Sequence, residues 1–222
     1  HLPWLGKHVH QRDHAAAAQV AFRFNSFIGL AMAERLAGPQ GLQFFAVLVG
    51  VCVPLFNVSA VWPMVRHGQG GFLRELVRNP LIIGTGAGLT ANFLGLSVPD
   101  WLASTVSRIG AASLPLGLMA AGAGMQFGAL SKAKSLAVAV LSIRHLVLPL
   151  VALGFSFLFR LNSVQTMVLL TFSALPTASS CYVLAARMGY DGAYVAGLVT
   201  LSTLLGMLSL PFAVGLLHSL RF

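Results

Sequence analysis

The chain has 222 residues, of which 57% are hydrophobic and 9% charged, and its mean hydropathy is +0.83. A soluble domain carries about a quarter charged residues, so this composition excludes a water-soluble fold, and crossings of roughly 20 residues each leave no length for a separate soluble domain. The formal charge of +9 does not mark a nucleic-acid surface, because the 14 Lys and Arg residues are scattered, mostly at the ends of apolar segments, instead of clustering with aromatic residues on one face.

Hydropathy and helix breakers divide the chain into seven spans: A, Ala15 to Leu36; B, Leu42 to Val65; C, Pro80 to Leu96; D, Trp101 to Phe127; E, Ser135 to Phe159; F, Ser163 to Arg187; and G, Ala193 to His218. The fold class is therefore an all-α polytopic membrane protein. The chain opens on His1 with no targeting segment before span A, so part of the natural N-terminus is expected to be absent. Span C starts at Asn79-Pro80, an N-cap followed by proline at the first helical position. Cys52 and Cys181 lie inside apolar runs without ligand spacing or a paired framework, which predicts small buried hydrophobes and neither a disulfide nor a metal. No catalytic constellation and no cofactor-binding motif occurs at usable spacing, so an enzyme is not expected.

Short cytoplasmic loops carry the excess of Lys and Arg. Lys7 and Arg12 precede A; Arg66, Arg74 and Arg78 join B to C; Lys132 and Lys134 join D to E; Arg187 follows F. The other side holds Arg35, Arg160 and Arg221. Span A thus enters from the cytoplasm and F runs the opposite way.

Sliding the chain against itself by 151 positions places Gly38-Pro39-Gln40-Gly41 over Gly189-Tyr190-Asp191-Gly192 and Asn25 over Pro176. Asn25 and Pro176 each interrupt a span in its middle, each is followed by hydroxyl residues (Ser26; Thr177, Ser179, Ser180), and each broken span is followed by an apolar helix with one proline, Pro54 or Pro211. Inverted repeats with interrupted helices create a polar site at mid-bilayer, where irregular backbone survives only if buried or lining a cavity. The alternative reading makes both breaks mere kinks with small residues for helix packing.

The run Arg23-Phe24-Asn25-Ser26-Phe27-Ile28-Gly29-Leu30-Ala31, the start Arg78-Asn79-Pro80-Leu81-Ile82, and Leu175-Pro176-Thr177-Ala178 followed by Leu184-Ala185 resemble the auxin efflux carrier family, whose bacterial members include malate and malonate permeases. Arg144 and Pro149 match that family's basic residue five positions before a proline. The resemblance spans essentially the whole chain. It implies ten helices in two inverted repeats of five, with the fourth and ninth broken and crossing at the substrate site. Spans A to G then correspond to helices four to ten, with residues 1–65 ending the first repeat, 66–79 a cytoplasmic connector and 80–222 the second repeat.

Six residues are expected at the substrate site: Asn25, Ser26, Arg144, Pro176, Thr177 and Ser179. The resemblance gives Asn25 the substrate carboxylate, against a backbone-capping role at the break. Pro176 supplies geometry, by withholding an N–H. Thr177, Ser179 and Ser180 either line a cavity or bond backbone. Arg144 lies about nine residues inside span E, where a charge costs roughly 2.5 to 3.5 kcal/mol on insertion scales, so it faces either the cavity or, by snorkelling, the cytoplasmic surface. His145 beside it points to a different face and is a candidate for proton coupling, Asn57 and Asn92 are expected to bridge helices or, less readily, to touch substrate, and Gly122 and Gly124 to allow close packing. The acids Asp13, Glu34, Glu75, Asp100 and Asp191 all lie at span ends or in connectors, which favours an anionic substrate over a cation.

These features predict a multi-pass protein of the inner cell membrane that moves small organic anions, dicarboxylates or auxin-like carboxylates, by alternating access. Lipid bilayer and anion are the expected partners, nucleic acid is not, and proton or ion coupling and a homodimer remain open. A non-transporting scaffold or sensor subunit is the competing reading.

Overall fold

The computed structural model describes residues 11–67, 77, 80–123 and 133–219. Every regular element among them is helical: α1 (Gln11–Phe22), α2 (Ser26–His67), α3 (Pro80–Phe93), α4 (Asp100–Ala123), α5 (Lys134–Ser142), a π-helical turn (Ile143–Val147) leading into α6 (Leu148–Leu158), α7 (Ser163–Ala174), α8 (Ser180–Arg187) and α9 (Gly192–Ser219). Gln11–Val65, Lys134–Leu158 and Gly192–Gly215 are long and apolar enough to cross a membrane, and Ser163–Ala174 is a shorter apolar helix. Lys7, Arg74, Arg78, Asn79, Gly124, Lys132 and Arg221 lie outside the described residues, and the 66–79 connector is described only at residues 66, 67 and 77.

Spans A and F are each two helices around a short break. Span A comprises α1 and the start of α2, separated by residues 23–25; span F comprises α7 and α8, separated by residues 175–179. Pro176 forces the second break: it has no N–H to continue α7, and it holds Leu175 extended at φ −58°, ψ 145°.

The connection from A to B differs from the expected loop over residues 37–41. The helix runs up to residue 37, turns on Gly38 alone (φ 61°, ψ −156°), and resumes at Pro39, where a missing N–H costs nothing. The limbs 26–37 and 39–67 fold back on one another, with Phe24 over Phe45 at 6.3 Å between ring centroids and over Phe56 at 6.0 Å. Gly29 permits that approach, since a Cβ there would overlap the Phe45 ring.

The turn between α8 and α9 uses the same device. Gly189 (φ 74°) ends α8, and the Asp191 carboxylate caps α9 by accepting from the Tyr194 N–H at 2.9 Å. Gly38 and Gly189 are the glycines that the 151-residue offset superposes, and both have positive φ.

One end of the bundle is tied by side chains. Arg12 donates to the Gly189 carbonyl at 2.9 Å with its guanidinium 5.1 Å above the Tyr190 ring, the Tyr190 hydroxyl donates to the Met64 carbonyl, and the Tyr194 hydroxyl donates to the Ala133 carbonyl at 3.0 Å. The starts of α1 and α5, the end of α2 and the α8–α9 turn therefore lie together. They are the four ends that the distribution of Lys and Arg assigns to a common side.

Two apolar clusters flank the breaks. Ala17, Val20, Val61, Leu136, Ala185 and Leu198 belong to one, and Phe24, Phe45, Val168, Leu175 and Leu210 to the other. Helices α3 and α4 pack mainly on α2 and leave Ile83, Phe93, Trp101, Ile109 and Met119 exposed, as suits side chains whose solvent is lipid. Asn92, expected to bridge helices, sits exposed near the end of α3. Gly122 lies within α4.

Candidate functional site

The two breaks meet. The Asn25 N–H donates to the Pro176 carbonyl at 2.9 Å, and the Thr177 hydroxyl donates to the Arg23 carbonyl at 2.9 Å, so each break satisfies backbone groups that the other frees. The Thr177 N–H donates in turn to the Ser202 hydroxyl oxygen of α9 at 3.0 Å. Asn25 caps α2: its side-chain oxygen accepts from the N–H groups of Phe27 and Ile28 at 3.1 and 3.2 Å. With that oxygen engaged, the NH2 of the carboxamide is the group left for a ligand.

Beside the crossing lies a cavity of about 280 Å³. Arg23, Asn25 and Ser26 of the first break line it, together with Ser179 and Ser180 of the second and Asn57 of α2; Phe24, Phe27, Val53, Phe56, Tyr182 and Val183 supply apolar walls. Ser26 and Phe27 open α2, and Ser180 opens α8, so two helix N-termini, where unpaired N–H groups concentrate partial positive charge, border the same space.

Arg23 adds a full charge. It is 4% exposed, and its guanidinium donates to Gln19 Oε1 at 2.7 Å, Asn57 Oδ1 at 2.9 Å and Ser180 Oγ at 2.7 Å, all neutral acceptors. Gln19 is itself held, its NH2 donating to the Ala16 and Cys181 carbonyls at 3.1 Å each. The Ser180 oxygen accepts from Arg23, which leaves the Ser180 O–H free to donate into the cavity. Cation, carboxamide NH2, hydroxyl and helix ends together make a donor-rich corner with no acceptor of matching charge among these contacts, the chemistry that holds a carboxylate.

The six residues expected at the site separate into two groups. Asn25, Ser26 and Ser179 line the cavity. Pro176 and Thr177 build the crossing behind it, Thr177 fully buried. Arg144 also stands behind it, neither lining the cavity nor snorkelling: it is 1% exposed and donates through Nε to the Leu175 carbonyl at 2.7 Å, with longer contacts to the carbonyls of Phe22 and Phe172 at 3.4 and 3.5 Å.

Arg23 lies within the motif that carries the family resemblance and has no expected role there, although it bears the same sequence signal as Arg144, a cation within an apolar span. Asn57, expected to bridge helices or, less readily, to touch substrate, accepts from Arg23 and also lines the cavity.

His145 faces α9. Its Nδ1 lies 3.0 Å from Ser209 Oγ and its Nε2 2.9 Å from Ser202 Oγ. The Ser209 hydroxyl donates to the Ala174 carbonyl at 3.0 Å, so its oxygen accepts from an Nδ1–H, and the Ser202 O–H is left for Nε2. No group of three or more His, Cys, Asp or Glu residues suited to a metal occurs among the described residues.

An uncharacterized transporter of Methanothermobacter thermautotrophicus is 24% identical over 190 residues, which cover 84% of this chain and 62% of the relative, so the chain spans less than two thirds of that protein's length. Residues 8–214 match the membrane transport protein family, and the chain accordingly belongs to that family, the one that includes the auxin efflux carriers its motifs resemble.

Proposed function

We propose that the protein carries small organic anions across the inner cell membrane by alternating access, holding the anion at the crossing of the two broken helices. Residues 1–65 then close a first repeat and 80–222 form the second. One observation supports this above all: the Arg23 guanidinium lies in the cavity wall, between two helix N-termini, and its partners among the described residues are all neutral. A buried cation without a counterion is costly, and an arriving carboxylate relieves that cost. A scaffold or sensor subunit gains nothing from keeping the cost.

The walls narrow the choice of anion. Polar groups gather at one corner, and Phe24, Phe27, Phe56 and Tyr182 enclose the remainder. A single carboxylate on an apolar, auxin-like body fits this division better than a dicarboxylate, whose second charge would meet aromatic faces.

The test is uptake by the full protein in vesicles, comparing labelled indole carboxylates, dicarboxylates and the neutral amide of the best substrate. Uptake of a carboxylate, with little of its amide, is expected. Asn25→Ala should reduce uptake at least tenfold at equal protein incorporation. Undiminished uptake by that variant, or equal uptake of the amide, would sink the proposal.

A further inference from the structure

A second buried cation lies beside the crossing, and the proposed carrier site makes no direct use of it. Arg144 gives its three nitrogens to the backbone carbonyls of Leu175, Phe22 and Phe172. Phe22 is the last residue of α1, while Phe172 and Leu175 bracket the end of α7 at Ala174. These are the C-terminal ends of both broken helices, where the last carbonyls lack intrahelical partners and about half a negative charge accumulates at each.

The four helix ends at the crossing are thus sorted by sign. The C-terminal ends of α1 and α7 converge on Arg144, and the N-terminal ends of α2 and α8 converge on the cavity with Arg23. The π-turn that carries Arg144 also carries His145, whose two serine partners hold the Ala174 carbonyl and the Thr177 N–H, the groups on either side of Leu175-Pro176. One turn of helix therefore grips both breaks.

We propose that Arg144 is the positioning residue of the crossing: its charge cancels the two negative helix ends and keeps the breaks in register, so that Arg23 and the two positive ends point into the cavity. The effect on anion affinity rests on the anion-site reading; the effect on the breaks does not.

Amide hydrogen exchange on the full protein in nanodiscs, without substrate, reads the second effect. Arg144→Met is expected to speed exchange at least tenfold in segments 22–28 and 172–180 while leaving α3 and α4 unchanged. Arg144→Lys, which keeps the charge, should recover most of the protection. Equilibrium binding of a labelled indole carboxylate should weaken at least tenfold in Arg144→Met and much less in Arg144→Lys.

Unchanged exchange at both breaks, exchange that rises equally in α3 and α4, or unchanged affinity in a protein that does bind the probe each overturns the proposal. If the unsubstituted protein binds no organic anion, the anion reading fails and exchange alone decides the role of Arg144. If Arg144→Met cannot be recovered folded, Arg144→Lys decides it: near-normal protection at the breaks supports the proposal, and full loss overturns it.

Discussion

Arg23 and Arg144 have the same sequence signature and opposite surroundings. Each is a cation within an apolar span, buried with no acidic hydrogen-bond partner among the described residues. Arg144 spends its donors on backbone carbonyls, the strongest neutral acceptors a crossing offers. Arg23 spends three N–H groups on side chains that can yield to a ligand, and it lines a cavity. Replacement of Arg23 by Gln should therefore raise KM for the transported anion by roughly 10- to 100-fold, the equivalent of losing a charge-assisted hydrogen bond of about 1.5 to 3 kcal/mol, with the maximal rate much less affected. Arg23→Lys should restore little, because an ammonium cannot span Gln19, Asn57 and Ser180 with one planar fork. Uptake kinetics at equal incorporation provide the check, and a KM that does not move would remove Arg23 from the site. Hydropathy shows that a cation sits in a span; what it faces depends on residues as distant in sequence as Ser180 and Leu175, which no local pattern reveals.

At the level of elements, what was legible was whatever has a local cause. Asn25 and Pro176 mark the breaks because a side chain that caps and a residue without N–H act on their own backbone. Two features were hidden. The π-turn at Ile143–Val147 has the hydropathy of the helices on either side, and its register is set by what Arg144 and His145 reach on other elements. The tightness of the α2 reversal was hidden too, because Gly38-Pro39-Gln40-Gly41 reads as a loop and functions as one residue. Gly38 at φ 61°, ψ −156° occupies a region open essentially only to glycine, so Gly38→Ala should destabilise the protein by about 1 to 3 kcal/mol even though a Cβ there would meet nothing within 4 Å. Thermal melts in detergent test this: an unchanged midpoint would mean that the backbone relaxes to another turn. Gly29→Ala fails for the opposite reason, overlap with Phe45 in ordinary helical backbone, and should cost a similar amount through overpacking.

Across the whole molecule, packing is uneven, and the unevenness shows where movement is easiest. Helices α1, α2, α5 and α7 to α9 share the two buried clusters and the hydrogen-bonded crossing, and α6 packs on α7 through Ala152 and Leu170. Among the described side chains, those of α3 and α4 lie outside these clusters, and the two helices rest mainly on α2, where Leu89 of α3 comes within 3.7 Å of the Cβ position of Gly50. Few buried contacts mean a low free energy for relative displacement, so this seam is where a carrier would shear while the crossing stays intact around its anion. Locking the seam should stop turnover without emptying the site. In a Cys52→Ala background, Gly50→Cys combined with Leu89→Cys and bridged by a short thiol crosslinker is expected to lose at least four-fifths of its uptake, while equilibrium binding of the labelled carboxylate stays within twofold of the uncrosslinked protein. Each single-cysteine variant given the same reagent should transport normally. If the bridged protein carries anion at full rate, α3 and α4 do not move against α2 during transport, and the motion must instead lie within the helices that form the crossing.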